Sequence, residues 1–430
     1  MSVDDARLNL AVVGCGGYAG YLIERLFDLD DICRVVAVTT SRPDSETATE
    51  LRGKGVAIHK NLEELLEAVT PETCQAIVIP TSIESHFEYT QKAVRSGFHV
   101  LLEKPPVATI QDLDRLIQLQ NESGRFITVN FQHLFSPMTQ KLKCRLAAGD
   151  FGKVLTVRAS TLWSRPEAYF ERSDWSGKLM LDGRWVLDGT IGNPLAHLLA
   201  EALYLATPNS GMAVPERVAA ELYRVNDIQS EDTSCLKLTT TEGVPVSYYA
   251  ALSSEIAGPV CCDVETELAV IQLENYCEVD IRWKDGRREQ EGAENNGHLD
   301  RLMMLRSFIE SLTAGERPLI TVEEGRPYML AWNGAFESAG IPSFVGGEHI
   351  VHTETADGGL RAIPELDQLF AQALKAQCLF SDLNVGWAEP SRSVDLSDYS
   401  FFPSVHRGLI ALKQDSFESL EGKHENVPVV

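Results

Sequence analysis

Leu8-Asn9-Leu10-Ala11-Val12-Val13-Gly14-Cys15-Gly16-Gly17-Tyr18-Ala19-Gly20 joins a short apolar run to a cluster of glycines. Residues 8–13 suit a strand buried on both faces. Tyr18, Leu22, Leu26 and Leu29 recur at helical spacing after it. Between strand and helix, Gly14, Gly16 and Ala19 fit the pattern G-x-G-x-x-A. The first glycine allows a tight turn, the second lets backbone approach a pyrophosphate, and the small third residue lets helix and strand pack closely. An anion placed there meets N–H groups at the helix N-terminus. Strand, glycine turn and helix in that order predict a dinucleotide diphosphate against Gly14, Gly16, Gly17, Tyr18 and Ala19.

The alternation continues along the chain. Residues 34–39, 76–79, 99–102 and 126–130 read as buried strands, with helices near residues 62–69 and 84–95 and from Thr109 to Gly124. Asn61 with Glu64 reads as a capping box. Repeated β-α units predict a doubly wound parallel sheet, a Rossmann domain over residues 1–130, whose ligand lies beyond the carboxyl ends of the strands. The second strand ends in Thr39-Thr40-Ser41-Arg42, without the acid that would hold a ribose 2′-hydroxyl. Ser41 and Arg42 suit a 2′-phosphate, so NADP is expected in preference to NAD. The fourth strand of this reading ends in Glu103-Lys104-Pro105-Pro106. There an ammonium faces the crevice and prolines fix the turn.

From about residue 151 two-residue alternation takes over. Residues 153–163, 217–225, 233–240, 246–252, 266–273 and 277–283 read as strands, with helices at 194–206, 298–314 and 323–339. They predict an α+β domain over 131–340 with a large, open, mostly antiparallel sheet. An extension over 341–430 is expected to pack on the body, with one helix at 363–380 and irregular chain beyond Glu389.

With 62 acidic and 38 basic residues in 430, the net charge of −24 argues against nucleic-acid binding. The nine cysteines include no C-x-x-C pair, which predicts buried or half-buried free thiols in a reducing compartment. His349 and His352 lack a third ligand, so no metal is expected. No span of about twenty apolar residues and no signal-peptide pattern are present, and a cytoplasmic protein without membrane contact is expected.

The ordered set of motifs is Gly14 to Ala19, Pro80-Thr81 with His86, Gly97-Phe98-His99-Val100, Glu103-Lys104-Pro105 and Asn130-Phe131 leading to Pro137. This set resembles the glucose–fructose oxidoreductase/inositol dehydrogenase family over about residues 8–340. The resemblance implies that Lys104 is the catalytic lysine and that Pro80 and Thr81 border the nicotinamide, with His86 and Glu103 in the same cofactor set. It also implies that His197 acts as general acid or base. Asn193 stands where members often carry an acid, and Asp188 is a candidate to supply the missing carboxylate.

Arg165, Tyr169, Arg172 and Trp175, together with Trp163 and Lys178, offer ring faces and hydrogen-bond donors suited to a polyhydroxylated ring. The expected activity is hydride transfer between a nicotinamide and a secondary alcohol of a sugar, glycoside or cyclitol. The alternatives are a glycoside-cleaving enzyme with a transiently reduced, retained NAD(P), and a catalytically weak cofactor-binding regulator. A homodimer or homotetramer through the second domain's sheet is expected.

Overall fold

The computed structural model describes residues 7–293 and 297–424. Residues 7–107, 112–136 and 297–326 form one compact unit, and 108–111, 137–293 and 327–424 form a second.

The first unit holds β1 (Leu8–Val12), α1 (Gly17–Phe27), β2 (Cys33–Thr39), α2 (Glu46–Gly53), β3 (Ala57–His59), α3 (Leu62–Ala68), β4 (Ala76–Ile79), α4 (Ile83–Arg95), β5 (His99–Glu103), α5 (Ile110–Ser123) and β6 (Ile127–Asn130). The six strands are all parallel, in the order β3-β2-β1-β4-β5-β6. The order reverses between β1 and β4, which opens a crevice beyond their carboxyl ends. All four residues of β4 are buried, as a strand covered on both faces requires. At α3 the Asn61 side chain accepts the Glu64 N–H at 2.9 Å. The reciprocal bond of the expected capping box shifts by one residue, because Glu64 accepts from the Lys60 N–H. The α2–β3 segment was absent from the sequence reading. Its helix is short and mostly exposed and its edge strand has three residues, so neither carries a clear apolar period.

The second unit continues with α6 (Pro137–Ala147), β7 (Val154–Leu162), α7 (Glu167–Phe170), β8 (Met180–Leu181), β9 (Arg184–Trp185), α8 (Ala196–Leu205), β10 (Pro215–Arg224), β11 (Thr233–Thr240), β12 (Pro245–Ala251), β13 (Cys261–Thr266), β14 (Ala269–Glu274), β15 (Glu278–Trp283) and β16 (Arg288–Gly292). Then α9 (His298–Ala314) returns to the first unit, where it packs on α1 and on the 3₁₀ turn 132–135. The expected strand over 266–273 corresponds to β14, and β13, which was not expected, joins it in a hairpin that turns at Glu267-Leu268. α10 (Arg326–Ala339), β17 (Ser343–Phe344), β18 (Val351–Thr355), β19 (Gly358–Ala362), α11 (Leu366–Ala376), β20 (Val394–Asp395) and α12 (Arg407–His424) complete the chain. α12 corrects the expectation of irregular chain beyond Glu389; the Pro- and Ser-rich stretch ends at Ser404 and a helix follows it.

The large sheet runs β16-β15-β14-β13-β7-β12-β11-β10-β17, with β20 also on β10. It is mixed, since β7–β12 and β10–β17 are parallel and its other pairs antiparallel. Neighbouring residues of β12 show how both faces are covered. Tyr248 donates to the Leu195 carbonyl beside α8, and Tyr249 donates to the Ala373 and Cys378 carbonyls at the end of α11. Leu366, Phe370, Ala373, Leu379 and Phe380 complete an apolar cluster with Tyr223, Val225, Cys235, Tyr249 and Ala251. Over this part of the sheet, the face away from α8 is covered by the chain's own extension, as a segment packed on the body was expected to do.

All nine cysteines are free, and Cys144 is exposed, contrary to the expectation of burial. Among the described residues no helix is long and apolar enough to cross a membrane, and no cluster of three or more His, Cys, Asp or Glu could hold a metal. His349 sits in a 3₁₀ turn ahead of the strand that carries His352.

Candidate functional site

The glycine turn lies where the sheet order reverses. Gly14 has φ +95°, and a Cβ on it would press on the Ala19 methyl at 3.3 Å, so the two small residues are mutually required. The Gly14 N–H donates to the buried Thr39 hydroxyl at 2.9 Å, which ties the turn to the end of β2. Gly16 precedes α1, and no side chain caps that helix. A Cβ on Gly16 or Gly17 would meet nothing within 4 Å. Open space, an uncapped helix start and small residues fit a diphosphate. Ser41 and Arg42 are exposed just past β2, with the Arg42 N–H on the Thr40 hydroxyl at 3.1 Å.

Pro80 and Thr81 follow β4 directly, and Lys104 follows β5. His86 joins the two loops, one ring nitrogen 2.9 Å from the Thr81 carbonyl and the other 2.9 Å from the Pro105 carbonyl. Burial pushes its pKa down, so the neutral ring donates to one carbonyl at a time. With 1% exposure and both nitrogens facing backbone, His86 braces the crevice loops rather than presenting a donor to a ligand. The Lys104–Pro105 peptide is cis.

Glu103 is buried at the tip of β5. Burial raises its pKa, opposed by the Lys104 ammonium, the Lys104 N–H, and hydrogen bonds from Asn130 and Tyr18. The Tyr18 phenol is in turn pushed up by burial and by the Glu103 charge. Arg301 of α9 donates to the Tyr18 oxygen at 3.3 Å, and Tyr18 donates to Gln132 at 3.2 Å. His133 pairs with Asp300 of α9 at 2.7 Å. Burial lowers the His133 pKa, opposed by the hydrogen bond and charge of Asp300 and assisted by the nearby Arg301 and Lys104 charges. Asn130, Gln132, His133, Asp300 and Arg301 are thus brought to the Lys104 end of this unit. Sequence reasoning missed all but Asn130, which it met only as a motif residue. Asp300 lies 167 positions from His133, and no local pattern connects them.

In the second unit His197 is buried on the first turn of α8. The helix begins at Ala196, so Asn193 is not on it. Asn193 lies in the turns before α8, where its N–H bonds the Gly189 carbonyl. Its side-chain amide donates to Asp188 at 2.7 Å. Asp188 also accepts from the Gly177 N–H at 2.7 Å and from Arg172 at 3.2 Å. The carboxylate missing at position 193 is therefore present beside it.

Trp163, Arg165, Tyr169, Arg172 and Trp175 alternate as a ladder of rings and guanidiniums. Arg165 stands 4.6 Å from the Trp163 ring centre and 5.3 Å from that of Tyr169, and Arg172 stands 4.0 Å from Tyr169 and 4.8 Å from Trp175.

Residues 8–131 match the family model described as "Oxidoreductase family, NAD-binding Rossmann fold". The chain is 25% identical over 272 residues to inositol 2-dehydrogenase 2 of Saccharopolyspora erythraea, covering 62% of this chain and 73% of that one. It is 24% identical over 161 residues to D-glucoside 3-dehydrogenase of Escherichia coli, covering 37% of this chain and 45% of that protein. In fold it is similar to the WlbA dehydrogenase of Bordetella pertussis, solved with NADH and UDP-GlcNAcA, at TM-score 0.63 and 20% identity over 75% of this chain and 94% of that one. It is also similar to levoglucosan dehydrogenase in complex with NADH, at TM-score 0.66 and 14% identity over the same shares of the two chains. Residues 8–131 thus match an oxidoreductase family with an NAD-binding Rossmann fold, in agreement with the resemblance of the motifs to the glucose–fructose oxidoreductase/inositol dehydrogenase family.

Proposed function

We propose that this protein moves a hydride between a secondary alcohol of a sugar, glycoside or cyclitol and the nicotinamide of NADP(H), with NAD(H) the second choice. The observation that carries this reading is the position of Lys104. It directly follows β5, one strand beyond the reversal of sheet order that holds the glycine turn. A bound nicotinamide cofactor supplies the hydride chemistry. Gly14, Gly16, Gly17 and Ala19 bind its diphosphate through backbone, with Ser41 and Arg42 toward the 2′-phosphate and Pro80 and Thr81 toward the ring.

Lys104 takes the hydroxyl proton as the alcohol is oxidised and returns it in the reverse direction. The buried Glu103 carboxyl, held by the Asn130 amide, anchors the backbone of Lys104 through its N–H at 3.1 Å. His197 assists the proton transfer. Asp188 and Asn193 take substrate hydroxyls, and the arginine–aromatic ladder of Arg165, Tyr169, Arg172 and Trp175 offers its ring edges and guanidinium donors to the sugar. The names of the relatives, an inositol and a glucoside dehydrogenase, support this substrate class.

The test is to titrate the purified protein with NADP(H) and NAD(H) and then screen sugars, glycosides and cyclitols at the absorbance band of the reduced cofactor. Lys104→Ala is expected to abolish turnover while cofactor affinity stays nearly intact. Equal rates in variant and parent would remove Lys104 from the chemistry.

A further inference from the structure

We infer that Arg165 is an anion receptor and that the substrate carries a carboxylate or phosphate besides its reacting hydroxyl. This deepens the proposed function and rests on its assignment of the arginine–aromatic ladder to the substrate.

Three features set Arg165 apart from a surface arginine. Its backbone is fixed, because beyond β7 the Trp163 N–H donates to the Ala251 carbonyl at 2.8 Å and the Arg165 N–H to the Leu252 carbonyl at 2.9 Å, continuing the β7–β12 pairing. Its guanidinium lies near two ring faces, those of Trp163 and Tyr169, which leaves its edge as the hydrogen-bonding surface. Its Nε is buried and has no hydrogen-bond partner among the described residues.

The neighbouring arginines show the contrast. Arg172, the next rung, is paired with Asp188, and Arg361 of β19 is paired with Glu167 of α7. Among the described residues no carboxylate pairs with Arg165, in a chain with 62 acids against 38 bases. A buried N–H donor without a partner is costly. A planar fork held between rings is pre-organised for an oxyanion with two acceptor oxygens.

The extension adds a brace to this site. The Ile363 N–H bonds the Ser253 carbonyl at 3.0 Å, and Ser253 forms a bridge with Ser164, the residue before Arg165. The Arg361–Glu167 pair holds the turn that leads to Tyr169. A segment of the C-terminal extension therefore helps fix the receptor.

The test uses the full-length protein and isothermal titration with methyl glucuronide, glucose 6-phosphate and neutral methyl glucoside, alongside the turnover screen. At least one of the two anions is expected to bind about tenfold to a hundredfold tighter than methyl glucoside, and the tighter one names the anion. Arg165→Gln is expected to erase that preference and Arg165→Lys to retain part of it. Equal affinities of the parent for all three ligands, or a preference that survives in Arg165→Gln, would overturn the inference. Failure of the dehydrogenase reading shows separately, as no reduction of NAD(P) with any sugar despite a preserved anion preference.

Discussion

Glu103 and Asn130 are register partners at the carboxyl tips of β5 and β6, and the Asn130 amide donates to the Glu103 carboxylate. The pair is buried, so the donor is not replaceable by water at no cost. Asn130→Ala is expected to destabilise the fold by about 1–3 kcal/mol in denaturant unfolding. The sign of its pH dependence follows from the raised pKa of Glu103. The neutral carboxyl dominates at low pH and needs the amide less, so the loss should grow as pH rises above the ordinary carboxyl value of 4.5. A loss independent of pH would separate Asn130 from the charge on Glu103.

The space around Gly16 separates cofactor binding from folding. A methyl there meets no protein atom within 4 Å and Gly16 has φ −106°, so Gly16→Ala should fold with stability changed by less than about 1 kcal/mol. The same methyl would stand where a diphosphate approaches the backbone. NADP(H) affinity should fall by about tenfold or more, measured by fluorescence titration of the reduced cofactor. Gly20→Ala is the contrasting control, because its Cβ would lie 2.9 Å from the Cys15 carbonyl and disturb the turn itself.

The first sheet was legible in the sequence because its central strands are short, apolar runs punctuated by glycine turns and helix caps. β4 was read to its terminal residues, and β1, β2, β5 and β6 to within a residue or so. Of the β13–β14 hairpin only β14 was legible, because β13 alternates the weakly apolar Cys262, Val264 and Thr266 with Asp263 and Glu265, and no Gly or Pro marks the turn at Glu267-Leu268. α12 was lost behind a run of Pro, Ser and Asp that reads as coil. The glycine turn and Lys104 are local patterns and could be read locally. The contacts of Lys104's neighbours with α9 depend on chain segments far apart in sequence. No spacing rule links His133 with Asp300 or Tyr18 with Arg301. The substitution of Asn193 for an acid was visible, but its consequence needed the Asp188 contact, which a five-residue separation outside any helix does not predict.

Cofactor choice turns on the two exposed residues after β2. If Arg42 neutralises a 2′-phosphate, Arg42→Ala should weaken NADP(H) binding by about tenfold and leave NAD(H) nearly unchanged. The contrast between the two cofactors in the same variant is the readout. A general loss of fold or turn geometry would move both together, and an unchanged NADP(H) affinity would assign the selectivity elsewhere.

Glu231 sets a pH limit on the turn that carries Asp188 and Asn193. Its carboxylate accepts from the Ile191 N–H at 3.1 Å, the Thr190 hydroxyl at 3.3 Å and the Ser230 hydroxyl at 2.7 Å. It also fills the space at Gly189, where a Cβ would lie 2.1 Å from it. Burial outweighs these donors and raises its pKa from 4.5 to about 7. A carboxyl raised in the folded state favours folding in its protonated form. Its contribution is fully present below pH 4.5 and is lost as pH rises through about 7. The total change from this group is about 3 kcal/mol, at 1.36 kcal/mol per tenfold change in proton affinity. Glu231→Gln keeps an acceptor for Ile191 and cannot ionise. Denaturant unfolding at pH 5 and pH 8 should therefore show a smaller loss across that interval in the variant than in the parent. An identical pH slope in the two proteins would mean that Glu231 is ionised throughout and that its hydrogen bonds outweigh its burial.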